Sequence, residues 1–97
     1  MIYELFIKAE AIKDMTAAFD WYEAKRIGLG TEFLDELDSY YNRITNNPEY
    51  FQAHLNQRVA VMQRFPYKLI FEVERNLVVV YAVYHHKRDP EKLSERD

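Results

Sequence analysis

Leu77 to Tyr84 reads Leu-Val-Val-Val-Tyr-Ala-Val-Tyr, apolar or aromatic at every position. The run is far too short to cross a bilayer as a helix. β-Branched and aromatic residues dominate it, which predicts a strand. A strand without a polar side must be covered on both faces, so it belongs at the centre of a sheet. Upstream, Phe65, Tyr67, Leu69, Phe71 and Val73 alternate with Lys68, Glu72 and Glu74. That is the period of a strand with one buried face and one mostly wet face. Glu74-Arg75-Asn76 joins the two as a hairpin turn, without the glycine of the strongest turn signals. From Arg58, Val59 and Val61 oppose Ala60 and Met62 and predict a third strand.

The N-terminal half follows a different period. Tyr3, Leu5 and Ile7 alternate with Glu4 and Phe6, a short strand. Asp14 is placed to cap a helix whose stripe is Met15, Ala18, Phe19 and Tyr22. Gly28-Leu29-Gly30 breaks that helix and reverses the chain. A second helix carries Phe33, Leu34, Leu37, Tyr40, Tyr41 and Ile44 on one face and stops at Asn46-Asn47-Pro48. The expected fold class is α+β, in the order β-α-α-β-β-β. A helical hairpin packs on one face of a small, twisted, mainly antiparallel sheet.

Ninety-seven residues make one domain, residues 1–97, with 91–97 a loose charged tail. Glu4 and Lys8 interrupt the first apolar run, so no signal peptide is expected, and no membrane span. The chain has no cysteine, which accords with a reducing cytoplasm. The net charge of −3 argues against strong nucleic-acid binding. Residues 1–57 carry five Lys/Arg against ten Asp/Glu, a balance of −5, and residues 58–97 carry eight against six, a balance of +2. The cations therefore gather on the strand-rich half.

Several motifs lie in order along the chain: Trp21-Tyr22-Glu23, Gly28-Leu29-Gly30, Asn47-Pro48, Arg64-Phe65-Pro66-Tyr67 and Ala82-Val83-Tyr84-His85-His86-Lys87-Arg88. With these the chain resembles the RelE/ParE superfamily of bacterial toxins, and most of all its ParE-like, plasmid-stabilisation branch. His85 matches the histidine of that branch's Ala-Val-x-His-x-x-Arg pattern. The fold the resemblance implies is the one the periodicity predicts.

RelE-like members cleave messenger RNA on the ribosome with lysines and arginines on the sheet, often with a C-terminal tyrosine. Lys68 and Arg88 match two of those cationic positions, and with His85 they are the catalytic candidates if the chain is a ribonuclease. Where paired lysines are expected the chain has Val59-Ala60-Val61-Met62, and no tyrosine follows Arg88. Two cations without an evident acid or base make a poor general acid–base set. Arg58, Arg64, Lys87, Arg88 and Arg96 are the candidates for contacting a protein target.

His85 and His86 point to opposite faces of a strand and cannot share a metal. Counting by alternation puts His85 on the side of Val83 and Tyr81. A structural role is the simpler reading of both histidines, as a solvated helix face is of Asp35, Glu36 and Asp38 and an architectural role is of Trp21 and Pro66. No cofactor or metal site is expected.

The resemblance implies the toxin of a type II toxin–antitoxin module, inhibiting DNA gyrase by protein binding. A small, DNA-binding cognate antitoxin would neutralise it. Two alternatives remain: a RelE-like interferase acting on ribosome-bound messenger RNA, or a non-toxic member that keeps only antitoxin binding. The apolar loading of both helices predicts a groove between hairpin and sheet for an apolar, acidic-flanked partner segment.

Overall fold

The computed structural model describes residues 2–85. Eight elements follow one another: β1 (Glu4–Ile7), α1 (Ala9–Lys25), α2 (Leu29–Asn46), a 3-10 turn (Pro48–Tyr50), β2 (Gln52–His54), β3 (Gln57–Val61), β4 (Tyr67–Glu74) and β5 (Leu77–His85). The strands form one sheet in the order β1-β5-β4-β3-β2. β1 runs parallel to β5 and every other pair is antiparallel. The predicted order therefore gains one strand. β2 is three exposed residues, Gln-Ala-His, with no apolar alternation to reveal it. It exists because it pairs with β3 across Leu55-Asn56. Leu55 takes the left-handed region there, at φ 57°, as Arg75 does between β4 and β5 at φ 56°. These two residues supply the turn geometry that glycine usually provides.

The helical hairpin covers one face of the sheet. Phe33, Leu37 and Ile44 of α2 meet Leu69 and Phe71 of β4 and Val78, Val80 and Val83 of β5 in one core. α1 contributes small residues, Ala11 and Ala18, both buried, which lets the helix sit close to the sheet. β5 is buried on both faces as its sequence predicts, although the middle place among the five strands belongs to β4. Ile70, Ala82 and Tyr84 make a second, smaller cluster on the face away from the core, with Val59 against it.

The β4–β5 ladder breaks once. Ile70 pairs with Ala82 but Phe71 pairs with Val80, so Tyr81 is an extra residue in β5. Such a bulge shifts the alternation by one. Val78, Val80 and Val83 consequently all reach the main core, while Tyr81 turns to the opposite face. There its hydroxyl lies 3.5 Å from a Glu72 carboxylate oxygen and its ring lies under the Lys8 ammonium at 4.7 Å. Desolvation, with Glu72 and Glu74 nearby, holds the Tyr81 phenol above its ordinary pKa.

Two expectations about the helices change. α1 begins at Ala9 after Lys8, so Asp14 lies in its second turn and caps nothing. Its carboxylate instead accepts the Val83 N–H at 3.0 Å. β1 has ended by that level of β5, pairing only as far as Val80, and the helix carboxylate takes the acceptor place a longer strand would hold. Gly30 is not part of the reversal but a helical residue of α2. A Cβ there would lie 2.7 Å from both the Phe19 carbonyl oxygen and its ring, so Gly30 sets how closely α1 and α2 cross.

Gly28, at φ 92°, makes the reversal and precedes α2 without a side-chain cap of its own. Glu23 supplies that function from the preceding helix. One of its carboxylate oxygens accepts the N–H groups of Gly28 and Gly30, both at 2.9 Å. These are donors that a helix start leaves unsatisfied, next to its positive dipole end. Glu23→Ala should lower the unfolding free energy by about 1 kcal/mol, the usual worth of an N-cap. Glu23→Gln, which keeps the accepting oxygen, should lose less. Urea unfolding of the three proteins checks this, and equal midpoints would show that the cap is idle.

Candidate functional site

The two aromatic motifs meet. Tyr22 of α1 lies 5.5 Å from Phe33 and 4.9 Å from Phe65, ring centre to ring centre, and Phe33 lies 5.0 Å from Tyr67. Tyr67 then packs edge-on against His85 at 5.1 Å. Pro66 sits between Phe65 and Tyr67 in a tight turn that the Tyr67 N–H closes onto the Phe65 carbonyl at 2.8 Å. These residues are joined because they pack on one another. Trp21 stays 44% exposed, with the Lys25 ammonium 4.4 Å above its ring.

The candidate cations are dispersed. The Arg58 guanidinium donates to the Phe51 carbonyl at 2.9 Å and ties β3 to the segment before β2. Arg64 pairs with Glu32 of α2, and its backbone N–H donates to Glu36 at 3.1 Å. Chiefly through the Arg64 hydrogen bond, with Arg26 adding to it, the Glu32 carboxyl is held below its ordinary pKa. Lys68 projects from β4 opposite Tyr84 and Val61, on the face away from the helices. His85 is opposite Tyr67, one residue along and on the other face. Lys68 and His85 are thus not brought together. The bulge also separates His85 from Tyr81, which alternation alone had put on one side. His86, Lys87, Arg88, Arg96 and the tail 91–97 lie outside the described residues.

What the structure does assemble is an apolar cleft on the solvent side of the hairpin. Ile12, Met15, Thr16 and Phe19 recur along α1 at helical spacing and face Leu34 of α2 across a depression of about 250 Å³. A second depression of about 320 Å³ shares Met15 and Leu34 and continues past Leu37 to Tyr41, bordered by Asp35 and Asp38. Ile12 is 50% exposed. The Tyr41 hydroxyl donates to the Met15 sulfur at 3.1 Å. Burial first, then Asp14 and Asp38, push the Tyr41 phenol far above its ordinary pKa, so it stays neutral. The expected groove between hairpin and sheet is instead filled by Phe33, Leu37 and Ile44. The opening lies one layer out, between the helices, and its rim is acidic. The sequence does not reveal it, because the stripe that holds Met15 and Phe19 reads as ordinary core.

Among the described residues, no group of three or more His, Asp or Glu is placed to hold a metal. No described helix is long and apolar enough to cross a membrane.

The arrangement matches a solved structure described as "Chromosomal ParDE TA system from P. aeruginosa". The TM-score is 0.76 at 12% identity, over 87% of this chain and 96% of that one. At that identity the match establishes the fold. The family model described as "ParE toxin of type II toxin-antitoxin system, parDE" matches residues 5–90. This chain belongs to the ParE toxin family. No curated protein matches it significantly.

Proposed function

We propose that this protein is the toxin of a type II pair, that a cognate antitoxin covers the helical cleft, and that the free toxin inhibits DNA gyrase in the cytoplasm by binding it. The observation that carries the antitoxin contact is the continuous apolar surface from Ile12 through Met15 and Leu34 to Tyr41. Clefts of this kind accept an amphipathic segment that anchors at every third or fourth residue. Asp35 and Asp38 on the rim favour basic residues flanking the anchors, rather than acidic ones. Family membership supports the toxin role. The separation of Lys68 from His85 on opposite faces favours binding over bond cleavage. Lys87, Arg88 and Arg96 are the proposed target contacts, with Arg58 and Arg64 engaged within the fold.

Two assays on purified protein decide the activity: gyrase supercoiling, and ribosome-dependent cleavage of messenger RNA. The expected result is inhibition of supercoiling by the wild type and, within about fivefold, by Lys68→Ala, since a half-exposed surface cation of a binding protein contributes roughly 1 kcal/mol or less. A nuclease that used Lys68 to stabilise transition-state charge would lose on the order of 100-fold. Messenger-RNA cleavage by the wild type that disappears in a folded Lys68→Ala would replace the gyrase reading with the interferase.

A further inference from the structure

β1 is a sheet edge, and it exposes an apolar residue on each of its faces. Glu4, Leu5 and Phe6 are all exposed, with Phe6 at 53% and Leu5 at 38%. Edge strands ordinarily carry a device that blocks further pairing. Here the even-numbered residues bond to β5: the Glu4 N–H donates to the Asn76 carbonyl and the Lys8 N–H to the Val80 carbonyl. In a parallel ladder the alternate residues direct their N–H and C=O groups the other way. Those of Leu5 and Ile7 therefore face the open edge, and among the described residues β1 has no neighbour but β5.

We infer that β1 pairs antiparallel with β1 of a second copy, about a two-fold axis at Phe6, to give a continuous ten-stranded sheet. The register follows from the residues. Leu5 meets Ile7 of the second copy and Ile7 meets its Leu5, so both outward N–H and C=O pairs are used twice. Phe6 meets Phe6 in the closer, non-hydrogen-bonded position, burying the most exposed ring of the strand against its own copy. Glu4 meets Lys8 and Lys8 meets Glu4, two opposite-charge pairs on the face that carries Phe6. A shift by two residues, centred on Glu4, would set Glu4 against Glu4. A shift toward the N-terminus by one would require the Tyr3 N–H, which already donates to the Thr45 carbonyl at 2.9 Å. The charge pattern is thus self-complementary in one register. The junction spans five residues of each copy, Glu4 to Lys8, below the area of a standard interface, so the dimer is a concentration-dependent one.

Cross-linking reads the register directly, because the chain contains no cysteine. In the purified full-length chain, Phe6→Cys should form a disulfide-linked dimer under mild oxidation, with the two Cα atoms about 4.5 Å apart. Leu5→Cys, which faces Ile7, should cross-link at least roughly tenfold more slowly. Sedimentation velocity across a concentration series gives a second reading without cysteine. Glu4→Lys should weaken dimerisation by roughly tenfold, since the like charges it creates occur twice by symmetry. Glu4→Lys with Lys8→Glu should restore it. Circular dichroism confirms that each variant is folded. Equal cross-linking of the two cysteine variants, a monomer at every concentration, or failure of the charge swap to rescue would overturn the inference. So would a monomeric chain whose Leu5→Pro variant, lacking only an outward N–H, loses the co-expressed antitoxin, because the edge would then hold a partner's strand.

Discussion

Phe33→Ala should lower the unfolding free energy by about 3–5 kcal/mol, the range for deleting a buried aromatic ring. Phe33 is fully buried and touches Tyr22, Phe65 and Tyr67, so its removal opens a cavity bounded by three rings from two segments, α1 and the turn at Pro66. Those rings cannot collapse inward without moving α1 or the turn at Pro66. A domain of this size has only about 5–15 kcal/mol in total. The variant should unfold at a far lower urea concentration, with an unchanged slope if the native surface is otherwise intact. A loss below 1 kcal/mol would show that the cluster is not the centre of the core.

Leu34→Glu combined with Ile12→Glu should abolish antitoxin capture while leaving the protein folded. Leu34 is shared by both depressions of the cleft, and Ile12 is half exposed, so neither position is fully inside the core. The change removes two apolar anchors and adds acids beside Asp35 and Asp38. Truncating a single central anchor commonly costs 2 kcal/mol or more, which is about 30-fold in Kd. The double variant should bind at least 100-fold more weakly by calorimetry or pull-down with the co-expressed antitoxin. Ile27→Glu, at an 89% exposed residue of the α1–α2 reversal, serves as the control and should bind as the wild type does. Normal binding by the double variant would move the antitoxin to another surface.

The layers were legible in the sequence because each depends on a local period. The stripe from Phe33 to Ile44 and the alternation from Tyr67 to Phe71 name their buried residues directly. What remained hidden depends on residues distant in sequence. Asp14 reads as a cap until Val83, 69 positions away, is seen to donate to it. Glu23 is only the last residue of the Trp21-Tyr22-Glu23 motif until Gly28 folds back onto it. β2 has no pattern of its own and is created by its partner strand. The candidate cations were recognised by type and by motif, but composition says nothing of whether a guanidinium is already engaged, as Arg58 is with Phe51. The cleft was misplaced by one layer, since a stripe shows which residues are apolar and not how wide a face its neighbour covers.

The extra residue at Tyr81 makes the end of the sheet more tolerant of a lost residue than of a lost irregularity. Deleting Tyr81 would leave Val80 opposite Phe71 and Ala82 opposite Ile70 as consecutive pairs, so Val83 would still meet the helices and Tyr84 the other face. The deletion would remove the ring under Lys8 and the local twist that a bulge adds, and little else. Forcing the ladder straight with Tyr81 retained would do the opposite. Ala82 and Tyr84 would be turned toward the helices and Val83 and His85 away from them, a change of address for four side chains with no change in sequence length.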